Sequence, residues 1–444
     1  MTQPPQRIAV IGSGIAGMTA AHYLSRRHQV SLFEADSRLG GHTATLDVDT
    51  GTERHAIDTG FIVYNDRTYP LFEALMDSLG VPGQATEMSF SVHESGRDFE
   101  YNGHTLTSLF AQRRNLLRPR FYRLLNDIVR FNRRATRDFL ADRLSPTLTL
   151  GDYLAGEDYG EDFQRRYLLP MGGAIWSASE AGMRDFPARF FVRFFHNHGL
   201  LSLTDRPQWR TIKGGSRTYI APLTEPYRER THLSTPVVGL ARDDGGVSLH
   251  TAAGERHFDQ VVFACHSDQA LAILGGQASR AERDVLGAIG YRRNSVVLHT
   301  DTGMLPRRRR AWASWNYRLD GRDAEACVPV TYNMNILQRL KSDTTFCVTL
   351  NDEESIDPAR VLGRHEYAHP QFTLSAQQAQ ARHGEISRVS RRTHFCGAYW
   401  RNGFHEDGVW SALRVVEAID GSQPSPATTA SPAASDRQAG TVCP

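Results

Sequence analysis

The chain of 444 residues, 40% of them hydrophobic and 23% charged, has the composition of an ordinary globular protein and is too long for one simple core. A formal net charge of +2 gives no basis for a nucleic-acid partner, and five scattered cysteines without a C-x-x-C pair argue against a disulfide framework and against a metal site. No apolar run approaches the ~18 residues that span a bilayer, and no secretory signal opens the chain, so we expect a cytoplasmic protein.

The first predicted elements form a strand–helix–strand unit. Arg7 to Ile11 is a short apolar run typical of a buried parallel strand, and Ile15 to Arg27 has helical spacing. Val30 to Phe33 is a second apolar run, and Ala56 to Tyr64 alternates like a further strand. The order predicts a βαβ unit at the start of an α/β domain.

A glycine-rich loop joins the first strand to the first helix, with the sequence Gly12-Ser13-Gly14-Ile15-Ala16-Gly17. Gly12 permits a tight turn, Gly14 lets the backbone approach a pyrophosphate, and Gly17 allows close helix packing. Glu34 ends the second strand, 22 residues after Gly12, where a carboxylate binds ribose hydroxyls. The pattern predicts a dinucleotide site; a glycine turn in an unrelated α/β fold is the alternative.

The rest of the chain divides by pattern into lobes. The stretch from Tyr69 to about Asp205 looks mainly helical, with Pro119 starting or breaking a helix, and a β pattern returns from Pro236. Short β runs between Ser295 and Leu350 suggest a second sheet. We predict a cofactor domain in three parts (1–68, 206–285 and 391–421), a mainly helical substrate lobe (69–205), a β-rich substrate lobe (286–390) and a disordered tail (422–444).

The residues after Glu34 bear on the choice between NAD and FAD. The run Arg38-Leu39-Gly40-Gly41-His42 resembles the E-x(3)-R-x-G-G segment of the flavin-containing amine oxidase superfamily, which includes phytoene desaturases and protoporphyrinogen oxidases. His42 stands where that family often has arginine. The resemblance implies FAD as cofactor. It also implies an α/β protein whose Rossmann-type, glutathione-reductase-like FAD-binding domain is interleaved with a mixed α+β substrate domain.

Later segments resemble the same family in the same order. Asp58-Thr59-Gly60-Phe61 resembles its D-x-G segment, which implies that Gly60 and Phe61 lie near the flavin. Val237 and Val238 match the strand beside the adenine. In the C-terminal part, a strand ending at Gly397 and a helix starting near Gly408 would direct backbone N–H groups at the flavin. The resemblance gives contact with the ribityl chain and flavin edge to Gly397, Asp407, Gly408 and Val409.

Three residues are candidates for catalysis. Phe404 falls where amine oxidases have one of two aromatic rings beside the flavin, and the missing hydroxyl weakens an amine oxidase interpretation. His405 and its neighbour Glu406 could transfer protons near the flavin or bond to nearby backbone. Lys213 resembles a flavin-adjacent lysine, with a solvent-facing lysine as the alternative.

An arginine-rich helical stretch with interleaved Leu and Phe carries Arg113, Arg114, Arg118, Arg120, Arg123, Arg130, Arg133, Arg134 and Arg137. Such a basic amphipathic surface is suited to peripheral contact with an anionic membrane. A solvated helix face paired with acids elsewhere explains it equally well. Arg307 to Arg310 form a second basic cluster.

The chain looks most similar to a bacterial group of predicted NAD/FAD-binding proteins associated with fatty-acid-modifying enzymes, a resemblance carried by the run from Asp58 to Asn65 and by Gly397-Ala398-Tyr399. We therefore expect an FAD-dependent oxidoreductase that takes a hydride from a hydrophobic, lipid or fatty-acyl substrate. The alternatives are an FAD-dependent amine oxidase and a flavin-binding accessory protein without turnover.

Overall fold

The computed structural model describes residues 4–421 except 95, 97, 203, 320–325, 390 and 391, so the predicted tail at 422–444 lies outside the described residues. The strands of the described residues, in chain order, are β1 (Arg7–Ile11), β2 (Gln29–Phe33), β3 (Thr45–Asp49), β4 (Arg54–Asp58), β5 (Tyr64–Asn65), β6 (Gly83–Ala85), β7 (Phe90–Glu94), β8 (Phe99–Asn102), β9 (Trp209–Ile212), β10 (Thr231–His232), β11 (Val237–Arg242), β12 (Val247–Thr251), β13 (Gly254–Phe258), β14 (Gln260–Phe263), β15 (Tyr291–His299), β16 (Trp315–Leu319), β17 (Val330–Asn333), β18 (Cys347–Leu350), β19 (Val361–Pro370) and β20 (Thr393–Phe395).

The α-helices are α1 (Ile15–Leu24), α2 (Pro70–Ser78), α3 (Leu106–Leu109), α4 (Pro119–Leu140), α5 (Leu150–Ala155), α6 (Glu161–Phe163), α7 (Leu169–Trp176), α8 (Glu180–Arg184), α9 (Ala188–Asn197), α10 (Ile220–Thr224), α11 (Ser267–Leu274), α12 (Arg280–Leu286), α13 (Met334–Leu337), α14 (Leu374–Ala381), α15 (His383–Val389) and α16 (His405–Asp420). Short 3₁₀ turns connect several of them, including Arg113–Leu117, Ser216–Tyr219 and Arg309–Ala311. None of the helices in the described part of the chain is both long and apolar enough to cross a bilayer.

A parallel sheet assembles the cofactor domain from distant parts of the chain. Its strand order is β10-β2-β1-β14-β20, with β1 between β2 and β14. The central strands are apolar runs buried on both faces, as expected for a parallel sheet covered by helices. The predicted βαβ unit is confirmed, and the fold is the expected α/β fold with a Rossmann-type domain. The loop after β1 therefore opens at the carboxyl edge of the sheet, where such folds bind ligands.

A second, mixed sheet has seven strands. Its order is β19-β15-β18-β17-β16-β7-β8, and only the β16–β7 pair is parallel among its neighbours. The short β runs expected after Ser295 do pair in this sheet. The stretch predicted as mainly helical contributes β7 and β8 to it as well, because that long-range pairing leaves little local trace in the sequence.

Two predicted boundaries differ from the structure. The strand expected from Ala56 to Tyr64 is broken into β4 and β5, and between them Gly60 passes so close to the His42 carbonyl that a Cβ would overlap it. The C-terminal helix was expected near Gly408, but α16 begins at His405. Pro119 does start a helix, as the first residue of α4, where its missing N–H costs nothing.

The helical lobe has an aromatic core. Trp176 lies 4.8 Å from Phe194 between ring centroids, and Phe191 stacks on Phe195 at 4.0 Å. Its buried members from α7 to α9, which we call the aromatic core, are Trp176, Phe186, Phe190, Phe191, Phe194 and Phe195. Rings of this size bury large apolar areas, so they dominate the stability of the lobe.

Candidate functional site

The glycine loop has a different environment at each glycine. Gly12 has a φ of +102°, which favours glycine, and a Cβ there would lie 3.0 Å from the Ala264 backbone. A Cβ on Gly17 would overlap the Gly12 carbonyl oxygen, so α1 packs against the turn only without a side chain. Around Gly14 nothing lies within 4 Å of that position among the described residues. The loop is thus closely packed except at the point where a pyrophosphate has to approach.

Ser13 and Glu34 connect the loop to the second strand. The Ser13 backbone N–H and hydroxyl donate to Glu34 Oε2 at 2.8 and 2.6 Å, and the Asp36 N–H donates to Oε1 at 2.9 Å. The backbone N–H of Gly40 donates to the Ser13 carbonyl at 3.1 Å. The carboxylate therefore sits at the end of β2, beside the loop, where the sequence predicted a ribose contact.

The second glycine pair lies against the first loop. Gly41 has a φ of +55°, and its Cβ would come within 3.3 Å of the Gly14 Cα. Arg38 folds over this turn and donates to the carbonyl oxygens of Gly41 at 2.8 Å and Thr43 at 3.1 Å. The two glycine segments predicted to bind one cofactor are therefore adjacent in space.

His42 lies in a group of aromatic rings that the sequence analysis did not find. Its ring centroid is 5.1 Å from Tyr367, 5.3 Å from His369 and 6.1 Å from His266. Burial first, and then the nearby His266, lower the pKa of His42 to about 4, so the imidazole is neutral. Its buried Nε2 has no hydrogen-bond partner among the described residues.

A signal for this group was present in the sequence. Every second residue of a strand points to the same face of the sheet. β19 carries His365, Tyr367 and His369 at that spacing. Reading that period would have placed three rings on one face, although it would not have shown that they face His42.

The second helix terminus approaches from the other end of the chain. A Cβ on Gly408 would lie 2.7 Å from Ile15 Cγ2, so the glycine lets α16 pack against the start of α1, which opens with Ile15 and Ala16. Asp407 Oδ2 accepts from the Phe404 N–H at 3.0 Å and caps α16, and burial raises the pKa of this carboxyl to about 6. Two positive helix ends thus converge beside the glycine loop, which favours an anionic ligand.

The remaining predicted cofactor residues lie around these elements. Val409 is buried in α16, and the Gly397 N–H, after β20, donates to Ser411 Oγ at 3.1 Å. Val237 is buried, whereas Val238 is 68% exposed on the opposite face of β11, so one side of the strand alone can cover an adenine. The N–H of Thr235, just before this strand, donates to the Glu34 carbonyl at 2.8 Å.

Asp58 is a buried carboxyl that the sequence analysis quoted only as part of a motif. It accepts hydrogen bonds from Thr45 Oγ1 at 2.6 Å and from the N–H and hydroxyl of Ser216 at 2.8 and 2.9 Å. Burial raises its pKa to about 6 despite these donors. The side chain holds the turn after Lys213 against β4, so its role in the structure is to position that turn.

The three catalytic candidates lie in different environments. His405 is buried and stacks on Phe61 at 3.5 Å, and its Nε2 lies 3.1 Å from Thr43 Oγ1 and 3.0 Å from the Tyr219 hydroxyl. Burial lowers the pKa of His405 well below its usual value, so the ring is a neutral partner in this network. A catalytic role for it stays a prediction.

Phe404 and Lys213 differ in exposure. Phe404 is half-buried at the start of α16 and packs against the hydrophobic cores of both the cofactor domain and the helical lobe. Lys213 is exposed after β9, where a solvated ammonium lacks the burial that activates catalytic lysines. Glu406 accepts from the backbone N–H groups of Leu71 at 3.3 Å and Phe72 at 2.9 Å, so it bonds to nearby backbone and caps α2.

These residues fit a flavin dinucleotide. Gly14 leaves the approach to the loop open, and Glu34 places a carboxylate at the end of the second strand. The buried His42 Nε2 has no hydrogen-bond partner among the described residues and could bond to a ligand. Gly12, Gly14 and the start of α16 would hold the pyrophosphate and flavin. The fold and this site define a protein of the Rossmann-type, FAD-binding oxidoreductase class.

Sequence comparison identifies the family. The family model for flavin-containing amine oxidoreductases matches residues 15–299. The chain therefore belongs to the flavin-containing amine oxidoreductase family and is an FAD-dependent oxidoreductase. Among curated proteins, it is 46% identical over 52 residues to an L-amino-acid oxidase of Mus musculus and 33% identical over 104 residues to a carotenoid phi-ring synthase of Chlorobaculum tepidum. These matches cover 11% and 23% of this chain, and only 8% and 16% of those relatives' own length.

Structural comparison agrees with this fold over nearly the whole chain. A double mutant of putrescine oxidase aligns with a TM-score of 0.67 at 15% identity, over 94% of this chain and 100% of that one. A fatty acid isomerase from P. acnes, described as producing CLA, aligns with a TM-score of 0.65 at 16% identity, over 93% of this chain and 98% of that one. At such low identity the likeness establishes the fold alone.

Proposed function

We propose that this FAD-dependent oxidoreductase acts on a hydrophobic substrate, a fatty-acyl or other lipid chain, in preference to a soluble amine. The proposal rests on the position of Phe404 between two hydrophobic cores, which we call the aromatic junction together with the rings around it. This residue is shared by the core beside the glycine loop and the core of the helical lobe. A substrate that enters between the lobe and the cofactor domain meets this ring at the start of α16.

The rings around the junction are apolar or neutral. Phe404 stacks on Phe194 of α9 at 5.1 Å, and His198, which directly follows α9, lies 3.8 Å from Phe194. Burial lowers the pKa of His198 to about 4, so it adds no positive charge at neutral pH. Phe372 stacks on Phe190 at 5.3 Å and would lie 2.9 Å from a Cβ on Gly403. Such a surface favours contact with CH₂ groups by excluding water.

The charges at the outer side of α9 also favour a lipid over an amine. Partial burial and the charges of Arg401 and Arg189 lower the pKa of Arg193. Arg189 pairs with Asp142 at 2.8 Å and Arg401 lies 3.6 Å from Asp407, whereas Arg193 forms no ion pair with the described residues and is only partly compensated by the more distant charge of Asp407. An anionic head group, such as a carboxylate, would relieve this repulsion. A protonated alkylamine would add to it.

The relatives offer independent support for the substrate class. One structural neighbour is named as a fatty acid isomerase, and one curated relative is named as a carotenoid phi-ring synthase. Two of the compared proteins therefore carry the names of lipid enzymes. The family itself favours the second candidate, an amine oxidase, as does the putrescine oxidase among the structural neighbours.

When bound, FAD supplies the two-electron acceptor for oxidation of the substrate. The chain's own residues have simpler tasks. The aromatic junction orients an apolar chain and excludes water from it, and Arg193 holds the anionic end. The hydrogen bonds of His405 with Thr43 and Tyr219 keep the start of α16 fixed beside the glycine loop. For the formation of a new double bond, a bound FAD would supply the hydride acceptor, and the accompanying proton would pass to solvent.

An anaerobic titration tests the proposal. The FAD-loaded protein is mixed with oleate, with phospholipid, with putrescine and with cyclohexylamine while the flavin absorption band is followed. We expect the acyl compounds to bleach the band. Bleaching by the amines alone would replace the proposal with the amine oxidase. An FAD-loaded protein that none of the acyl compounds or amines reduces would instead be a flavin-binding accessory protein.

A matched pair of variants at one position links the result to the junction. Phe404→Leu keeps an apolar side chain, whereas Phe404→Asn places a polar group of similar size there. We expect the Leu variant to be reduced by acyl substrates far faster than the Asn variant, with equal FAD content in both. Equal reduction rates in the two variants would show that the side chain at position 404 does not contact the substrate.

A further inference from the structure

The surface of the helical lobe exposes an unusual group of large apolar side chains. Leu117 is 86% exposed and Leu106 is 78% exposed, and Leu116 and Tyr122 are each 47% exposed. Leucines scattered singly over a surface need no explanation, but these four lie within 17 residues of one another in the sequence. Such a concentration indicates a surface that another molecule covers.

The four side chains lie on neighbouring elements. Leu116, Leu117 and Tyr122, together with Pro119, Arg123 and Asn126, line a surface depression of about 580 Å³. The Tyr122 hydroxyl donates to the Leu116 carbonyl at 3.0 Å, and the Tyr122 ring lies 6.4 Å from Phe110, which directly follows α3. Leu106 begins that same helix. Leu116, Leu117 and Tyr122 therefore share one depression, and Leu106 lies on the neighbouring helix α3, whose following residue Phe110 contacts Tyr122.

Positive charge surrounds these apolar residues and is only partly neutralised by acids from other parts of the chain. Residues 101–126 contain five arginines and no Asp or Glu. Arg114 pairs with Asp98 and Arg120 with Asp162, which are acids from other parts of the chain. Arg113, Arg118 and Arg123 form no ion pair with the described residues. Pairing with acids elsewhere, which the alternative of a solvated helix face expects, is therefore found for Arg114 and Arg120 but not for these three.

The fold adds the second basic cluster to the first. The 3₁₀ turn Arg309–Ala311 packs against α3, although nearly 200 residues separate the two in the sequence. Arg308 is held by Asp98 and Glu100, whereas Arg309 and Arg310 are exposed and have no acidic partner in the described part of the chain. We call the combined surface the leucine–arginine patch. Its members are Leu106, Leu116, Leu117, Tyr122, Arg113, Arg118, Arg123, Arg309 and Arg310.

We propose that the leucine–arginine patch docks this protein on the surface of an anionic phospholipid bilayer. Leucine and tyrosine side chains enter the boundary between head groups and acyl chains, and arginines bind the phosphates around them. A nucleic acid would satisfy the arginines but leave the exposed leucines in water. A bilayer satisfies both, because it presents negative charge above an apolar layer.

Vesicle sedimentation with the full, FAD-loaded chain tests the proposal. We expect binding to vesicles of phosphatidylcholine mixed with phosphatidylglycerol, little binding to phosphatidylcholine alone, and weaker binding at high salt. The variant Leu116→Ser/Leu117→Ser should bind the mixed vesicles about tenfold less tightly. Arg113→Gln/Arg118→Gln/Arg123→Gln removes three charges and should bind them about a hundredfold less tightly.

A control from the same helix distinguishes the patch from general surface change. Leu140 is 69% exposed and Arg133 is also exposed, but both lie on the far half of α4. Leu140→Ser/Arg133→Gln should bind like the wild type. Equal binding by all variants would overturn the proposal, as would wild-type protein that does not sediment with the mixed vesicles.

Two further results would assign the patch to another partner. Binding to heparin or DNA that is as strong as vesicle binding and insensitive to Leu116→Ser/Leu117→Ser would indicate a polyanion surface. A dimer in solution that the same leucine variant dissociates would indicate a contact between copies of the chain. Because none of these measurements depends on turnover, their outcome is independent of the proposed lipid substrate.

Discussion

The cofactor domain and the helical lobe are built by different physical means. The cofactor domain relies on backbone geometry, because glycines at fixed positions, two helix termini and one carboxylate surround the cofactor site. We call these elements the clasp. The helical lobe relies on side-chain packing, in which stacked aromatic rings could be exchanged for others of similar size. Backbone requirements restrict the sequence to few choices, whereas packing leaves many. The clasp is therefore recognisable from sequence, and the lobe is not.

The largest expected effect comes from the most closely packed glycine of the clasp. Gly17→Val places two methyl groups where a single Cβ already overlaps the Gly12 carbonyl, so we expect no FAD-loaded protein to be recovered. Gly14→Ala adds a Cβ in open space, so it should fold but bind FAD at least about tenfold less tightly. Flavin absorbance per protein and thermal unfolding of the apoprotein separate the two effects. Equal behaviour of both variants would contradict the distinct roles assigned to these glycines.

This difference between backbone geometry and side-chain packing also explains which features could be predicted from the sequence. The strand–loop–helix order, Glu34 at the end of β2 and the second glycine pair are local patterns, and the structure places them together as expected. The pairing of β7 with β16 and the ring group at His42 depend on contacts between residues more than 200 positions apart. No local pattern specifies such contacts. The early start of α16 was missed because Gly408 serves packing against α1, not the helix start.

The second prediction concerns the link between the two regions. Glu406 caps α2 from the start of α16, and Glu406→Ala leaves the N–H groups of Leu71 and Phe72 without their acceptor. We expect a loss of about 2 kcal/mol in the free energy of unfolding, measured by urea denaturation. As a control on the same helix, Arg414→Ala removes an exposed surface pair with Glu417 and should change stability by less than about 0.5 kcal/mol. Equal losses would show that the cap is not a stabilising contact.

The third prediction concerns substrate binding by the lobe. Arg193→Ala should raise KM for a fatty acid about tenfold, or ~1.4 kcal/mol, because the carboxylate loses its unpaired cation. The methyl ester of the same acid carries no charge, so its KM should stay nearly constant. A similar rise in KM for acid and ester would assign Arg193 a packing role.

The last prediction concerns the pH dependence of stability in the aromatic junction. Burial lowers the pKa of His198 from 6.5 to about 4, so protonation is disfavoured in the folded protein. The stability associated with the neutral ring is fully present above pH 6.5 and is lost as the pH falls toward 4. The difference in melting temperature between wild type and His198→Asn should therefore shift against the wild type over that range. A difference that is constant with pH would contradict burial of a neutral ring.

We propose that the clasp and the aromatic junction bring a C–H bond of an acyl chain to the flavin. Rapid anaerobic mixing of the FAD-loaded protein with oleate and with fully deuterated oleate tests this most directly. We expect the flavin band to bleach with both and several-fold more slowly with the deuterated chain, because that C–H bond is broken as the flavin is reduced. Absence of bleaching by either chain, with rapid bleaching by putrescine or cyclohexylamine, would contradict it.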